Sequence, residues 1–253
     1  MTDESALRSL DHLVIAVHDL DRSIADYRSM GFTVNPGGRH PGRSSHNALI
    51  VFADGAYIEL ISWQAPAPEE RWWRVLQTRG EGFVDFALLP GDTAAAIDAA
   101  RSRGLTTIIG PVEGGRVRPD GMALQWRTAR QASHDLPFLC GDVTARNLRV
   151  PEGEARQHPN GVSGVAGLSI AVQDLEVSVK RYSALLGPAV PVAITSGDPQ
   201  SAQASFLLGS TRFTLVTTTQ DEGPSHMTLI GPVGVLGRSL NIAASHGAAI
   251  DIS

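Results

Sequence analysis

The chain repeats itself at a fixed distance, and this repeat constrains the fold more than any other feature. His12-Leu13-Val14-Ile15-Ala16-Val17-His18-Asp19-Leu20 matches Gly167-Leu168-Ser169-Ile170-Ala171-Val172-Gln173-Asp174-Leu175, an offset of 174 − 19 = 155 residues. Ser23 and Tyr27 recur as Ser178 and Tyr182, and Glu59-Leu60 falls on Thr214-Leu215. Stretches that keep core and turn positions at one offset share a fold.

The repeated unit reads strand, helix, strand, strand, strand. The apolar run 11–17 suits a buried strand. Asp19 or Asp21 is a suitable N-cap for a helix over 22–30. A strand starting at Phe32 is interrupted by Asn35-Pro36-Gly37-Gly38, which carries turn chemistry. Residues 45–52 and 57–63 alternate around Asp54-Gly55, a strong hairpin signal. A more divergent unit follows, with a strand over 82–89, an Ala-rich helix over 93–103 ended by Gly104, and strands over 116–130 and 136–140. Residues 239–247 resemble 96–104, so a shortened counterpart closes the chain. The expected fold class is α+β, built from repeated βαβββ units in two unequal halves. These are 1–149, holding the candidate site, a linker over 150–163, and a degenerate, truncated half over 164–253.

With 253 residues of which 42% are hydrophobic, the chain can bury a sizeable core. The net charge is −5 and no polybasic run occurs, so nothing calls for nucleic acid. Cys140 is the only cysteine, which rules out an intrachain disulfide. No signal peptide and no membrane-length apolar run is visible, so a cytoplasmic protein without a membrane partner is the default expectation. Neither GxGxxG, a Walker loop nor Gly-x-Ser-x-Gly occurs, so no nucleotide cofactor and no nucleophile elbow is expected.

Strand parity points to the chemistry. Residues two apart share a face, so His12 lies with Val14 and Ala16, and Glu59 with Tyr57 and Ile61. On the middle strand His46 shares a face with Ala48 and Ile50, while Leu49 and Val51 suit the helix side. If the polar-bearing faces coincide, His12, His46 and Glu59 share one concave surface, close enough to hold a metal ion. At the offset of 155 they become Gly167, Ser201 and Thr214, so all three candidates vanish together in the second half. The plainer readings are a core histidine at His12 and an ion pair between Glu59 and Arg39 or Arg127. A carboxylate among apolar neighbours is costly to bury without a partner. Between the two units, residues 66–79 are expected to form a helix beside the mouth of the cup. The plainer reading is an ordinary packing helix with one tryptophan at its edge; the other has Trp72 or Trp73 contacting the concave face.

The paired βαβββ pattern, with a His on the first strand and a Glu on the fourth, resembles the vicinal oxygen chelate superfamily of glyoxalases, extradiol dioxygenases and bleomycin-resistance proteins. More narrowly, Gly37-Gly38-Arg39-His40-Pro41-Gly42, His46-Asn47-Ala48-Leu49 and Tyr57-Ile58-Glu59-Leu60-Ile61 resemble a bacterial glyoxalase-like domain family. Arg118-Pro119-Asp120-Gly121, Trp126-Arg127 and Leu136-Pro137-Phe138 fit its second part. The resemblance implies a cup with a metal or ligand at its floor, and ligands drawn from the first and fourth strands of each unit. Unit by unit this gives His12 and Glu59, then Asp85 in the place of His12, and a last position near 139–141 where Cys140 is the only donor.

The expected metal set is therefore His12, His46 and Glu59. Glu59 or Asp85 is the candidate general base, and Arg39, Asn47, Tyr57, Trp63, Trp72 and Arg127 are candidate ligand-binding residues. Imidazole and carboxylate suit Zn²⁺, Fe²⁺, Ni²⁺ or Mn²⁺. The leading expectation is a divalent-metal-dependent lyase, isomerase or oxygenase acting on a small molecule with vicinal oxygens. The alternatives are a metal-free binding protein of the bleomycin-resistance kind and a non-catalytic dimer scaffold, with a homodimer left open.

Overall fold

A computed structural model describes residues 6–195, 202–234 and 237–253. In chain order they form β1 (Leu7–Ala16), α1 (Leu20–Ser29), β2 (Asn35–Arg39), β3 (Ser45–Val51), β4 (Tyr57–Trp63), α2 (Arg71–Arg79), β5 (Gly82–Pro90), α3 (Thr93–Ser102), β6 (Ile109–Val117), β7 (Ala123–Arg130), β8 (Phe138–Asp142) and α4 (Arg146–Arg149). The second half adds β9 (Gly164–Val172), α5 (Leu175–Leu186), β10 (Ala193–Thr195), β11 (Gln203–Leu208), β12 (Thr211–Thr217), β13 (Gly223–Ile230), β14 (Arg238–Ser239) and β15 (Ile250–Ile252). Among the described residues no helix is long and apolar enough to cross a membrane.

The repeat holds down to strand register. β1 and β4 pair in parallel with Val14 opposite Glu59, and β9 and β12 pair in parallel with Ser169 opposite Thr214, each 155 residues on. Asp19 and Asp174 cap the equivalent helices, each accepting from a backbone N–H at 3.0 Å, those of Arg22 and Val177. Such caps satisfy amides that the first turn leaves without partners.

The two halves nevertheless close differently. Strands of the first half form a closed barrel in the order β1-β4-β3-β2-β6-β7-β8-β5, sealed where Arg39 of β2 meets Val117 of β6. The second half has the corresponding order β10-β11-β12-β9-β13-β15-β14 and no counterpart of β6 among the described residues, so its sheet stays open. Residues 242–247, expected to mirror the Ala-rich helix, are turns, not helix. A Cβ on Gly247 would sit 2.1 Å from the Glu81 carbonyl oxygen, so this turn lies directly on the first half.

Leu13, Ile15 and Val17 point out of the barrel into one core shared with Leu168, Ile170 and Val172 of the second sheet. Inside the barrel one end is filled by Val14, Ala16, Ile61, Val84 and Ala87, with Val75 and Leu76 of α2 against them. The other end is filled by Leu49, Val51, Tyr57 and Val150, the last just past α4. Residues expected as a linker pack on the first half: His158 accepts from Thr33 N–H at 3.0 Å, and Asn160 donates to the Met30 carbonyl oxygen at 3.1 Å.

Candidate active site in the barrel

Between the two plugs lies a cavity of about 900 Å³ lined by His12, His40, Asn47, Tyr57, Glu59, Arg116, Trp126, Arg130, Phe138 and Cys140 among others. An eight-stranded barrel of this kind has room for one small ligand.

Glu59 is its centre. His12 Nε2 stands 3.4 Å from Glu59 Oε2 and His40 Nε2 stands 3.8 Å from Glu59 Oε1. Asn47 Nδ2 donates to Oε1 at 2.6 Å. The opposite nitrogen of each imidazole is tied. His12 Nδ1 lies 2.6 Å from Asp11 Oδ2, and His40 Nδ1 lies 2.9 Å from the Ser45 hydroxyl. Both Nε2 atoms are thereby turned towards the carboxylate, and Tyr57 stacks on the His12 ring at 4.6 Å between centroids.

Asp11 is held from beneath. Arg149 of α4 donates to both of its oxygens, at 2.8 and 2.9 Å, and to the Tyr57 hydroxyl oxygen at 2.7 Å. Arg149 also binds Asp142, and Arg146 binds both carboxylates. Consecutive strand residues should face opposite ways, yet Asp11 and His12 meet. The β1–β5 register slips between Leu10 and His12, so Asp11 is the extra residue of a bulge.

Burial opposes every charge here, and at Glu59 and His12 the neighbours outweigh it. Burial pushes the Glu59 carboxyl up, but His12, His40 and Asn47 bring it down to about 2. Burial pushes His12 down, but hydrogen bonds to Asp11 and Glu59 raise it above its ordinary 6.5. His40 is lowered by burial. Burial also pushes the Cys140 thiol far up, which leaves it neutral.

Several expected residues lie elsewhere. Asn47 pairs with Ile61 and Leu49 with Glu59, so the inward face of β3 carries Ser45, Asn47, Leu49 and Val51. His46 is on the outward face, opposite Ser62. The assumed parity of the middle strand was inverted, because both of its faces are apolar enough to be buried. His40, at the strand end, takes the inward place instead. On β7 the inward residues are Leu124, Trp126, Thr128 and Arg130, while Arg127 is outside, bonded to Glu113 at 2.9 Å. Arg39 is exposed, and Trp63 donates to Glu70 at 3.0 Å without lining the cavity. Ser201, the counterpart of His46, lies outside the described residues.

Asp85 is inward but engaged. It accepts from Trp72 Nε1 at 2.8 Å, and burial raises its pKa. Trp72 leans on Phe138 and lines the cavity. Pairing explains why no second half-site forms. Val14 lies opposite Glu59 in β1–β4, and Ala87 lies opposite Phe138 in β5–β8, so the counterpart of Glu59 is Phe138, not Cys140. Among the described residues no three His, Cys, Asp or Glu side chains already surround one point in a metal-binding arrangement.

Comparison with known proteins decides the family: a glyoxalase-like domain matches residues 10–186. The chain belongs to the glyoxalase-like domain family. The same fold occurs in a hypothetical protein from Staphylococcus aureus, with a TM-score of 0.76 at 15% identity, covering 96% of this chain and 98% of that one. It recurs in a mutant of 4-hydroxymandelate synthase from Streptomyces coelicolor, with TM-score 0.59, 14% identity and coverage of 89% and 71%. A fusion of a xylose isomerase-like TIM barrel with 4-hydroxyphenylpyruvate dioxygenase gives TM-score 0.58 and 16% identity, over 90% of this chain and 37% of that one. No curated protein matches the chain by sequence. The match takes in the closed barrel and runs on through β9 and α5 of the open second half.

Proposed function

We propose that this glyoxalase-like protein is a divalent-metal-dependent lyase, isomerase or oxygenase that works in the barrel cavity on a small molecule with adjacent oxygens. The observation that carries the reading is Glu59 standing between two imidazoles whose Nδ1 atoms are both tied, so that two Nε2 atoms and a carboxylate converge. Metal–ligand distances of about 2.0–2.2 Å put neighbouring donors roughly 3–3.4 Å apart. The His12–Glu59 spacing of 3.4 Å meets this, and His40 at 3.8 Å needs a small inward shift.

His12 Nε2, His40 Nε2 and Glu59 would hold the ion, a two-nitrogen, one-carboxylate set that suits Fe²⁺, Zn²⁺, Ni²⁺ or Mn²⁺. Bound there, the ion supplies Lewis acidity towards substrate oxygens. The other roles belong to the chain. Asp11 keeps the His12 proton on Nδ1 and fixes the ring, and Asn47 keeps Glu59 ionised and oriented. Tyr57, Trp126 and Phe138 line the cavity and exclude water.

The test is metal content of the full chain purified without chelator. One divalent ion per chain is expected, lost in His12→Ala, His40→Ala and Glu59→Ala and kept in His46→Ala and Thr214→Ala. A wild-type protein that takes no metal, and whose Tm does not move with added ions, is instead a metal-free small-molecule binding protein.

A further inference from the structure

Arg116 is a cavity guanidinium without an ion pair among the described residues, and Glu59 is the cavity carboxylate whose charge reaches it. It projects from β6 and is only 3% exposed. Its Nη2 donates to the Arg149 carbonyl oxygen at 2.7 Å, and its Nε has no partner. Among the described residues it makes no ion pair, because Arg146 and Arg149 take up Asp11 and Asp142, and Arg43 takes Glu70. A guanidinium does not give up its proton at neutral pH, so the charge stays. Removing a cation from water without a carboxylate hydrogen-bonded to it is unfavourable, even with Glu59 acting from a distance. A fold that spends stability on such a group in the wall of a cavity is prepared for an anion.

The surroundings define what kind. Arg116 stands opposite Leu124, and the same cavity is walled by Tyr57, Trp126 and Phe138. These three rings give the cavity an aromatic wall, beside polar groups such as Gln125 and Thr128. A second guanidinium, that of Arg130, lies 5.5 Å and 5.4 Å over the Trp72 and Phe138 rings, and also makes no ion pair among the described residues. The fork of a guanidinium matches the two oxygens of a carboxylate.

We infer that the cavity binds an organic carboxylate, its carboxylate group on Arg116 and its apolar or aromatic body against Trp126 and Phe138. This deepens the enzyme reading by naming the substrate class at the same site. The reacting end of the ligand then shares the cavity with Glu59. Among the described residues, none of the second half lines this cavity.

The test compares benzoate with benzamide, a neutral compound of nearly the same shape, by isothermal titration of the full chain before and after chelator treatment. Benzoate is expected to bind at least about ten-fold more tightly than benzamide in both preparations, since each tenfold is one carboxylate–guanidinium pairing of ordinary strength. Arg116→Gln should bring the two compounds together. Arg116→Lys should keep part of the preference, which shows that the loss in Arg116→Gln is not misfolding. Equal binding of the two compounds by the wild type, no detectable binding of either, or an unchanged preference in Arg116→Gln overturns the inference. So does inorganic phosphate displacing benzoate at lower concentration than acetate does. Metal uptake by His12, His40 and Glu59 is read separately, so a failed carboxylate site leaves the metal reading standing, and a benzoate preference without metal uptake does the reverse.

Discussion

Tyr27 and Tyr182, 155 residues apart, each reach across to the other half of the molecule. The Tyr27 hydroxyl donates to the Ser245 carbonyl oxygen at 3.1 Å, and the Tyr182 hydroxyl donates to the Asp135 carbonyl oxygen at 2.6 Å. Both rings are fully buried, so each bond crosses the core shared by the barrel and the open sheet. Loss of either hydroxyl leaves a buried carbonyl short of a donor. Tyr27→Phe and Tyr182→Phe should each lower unfolding free energy by about 0.5–1.5 kcal/mol in denaturant titration. The double variant should show the sum, as sites without shared partners do. A double variant no worse than either single one would mean the two latches act as one.

Asp11 carries more. It is completely buried and receives Arg149, Arg146 and His12. Asp11→Ala leaves the buried Arg149 guanidinium with Asp142 as its only carboxylate, and should cost about 3–5 kcal/mol of stability. His12 should also lose one of the two carboxylates that raise its pKa, Glu59 remaining, which NMR titration of the imidazole would show as a downward shift. An unchanged His12 titration would place the control of that ring elsewhere.

The His12–Glu59 pair makes stability depend on pH in a defined window. The folded-state pKa of His12 is raised above 6.5, so its contribution is complete below that pH and fades as pH rises through the folded value. Glu59 is lowered from 4.5 to about 2, so its contribution is complete above 4.5 and fades as pH falls towards 2. The pair therefore stabilises most between 4.5 and 6.5. The difference in Tm between wild type and Glu59→Gln, measured against pH without metal, should peak in that window. A difference that grows steadily into alkaline solution would contradict a charged pair.

Gly37 makes room for Asn47. A Cβ at position 37 would lie 1.9 Å from Asn47 Oδ1, and Asn47 in turn donates to Glu59. Gly37→Ala should cost roughly 1–3 kcal/mol, as overpacking does, and should weaken metal or ligand binding by turning Asn47 away from Glu59. Full retention of both would show that β2 shifts freely at this point.

The Arg130 guanidinium over Trp72 and Phe138 gives a final expectation. Trp72→Phe keeps a ring under the cation but removes the donor to Asp85. Asp85 is already raised by burial, so it should become harder still to ionise. Its titration should therefore move to higher pH, read by NMR of the carboxyl carbon.

Much of the architecture was legible in the sequence because it depends on local chemistry repeated at one spacing. Asp19 and Asp174 cap helices through their own side chains, and apolar alternation places Val14 and Ser169 on the same faces in both halves. His12 and Glu59 could be singled out for the same reason: on β1 and β4 the two faces differ in polarity. The middle strand offers no such contrast. Asn47-Ala48-Leu49-Ile50 is buried on both sides with His46 half-buried beside it, and only the pairing with β4 decides that Asn47 faces Glu59 while His46 turns away. The adjacent pair Asp11-His12 was the available hint of an oriented imidazole, and strict alternation argued against it.

What the sequence alone determined, then, is the repeated unit, its caps and turns, and which half carries the polar residues. Tertiary structure decided the membership of the site. A bulge at Asp11 set two successive side chains together, and the helix at 146–149 brought Arg149 under them from far along the chain. Barrel closure through β6 buried Arg116, and the turn from β2 to β3 set His40 beside Glu59. These are long-range events: a side chain's face follows its own strand's period, but its partners follow register and closure, which no local pattern encodes.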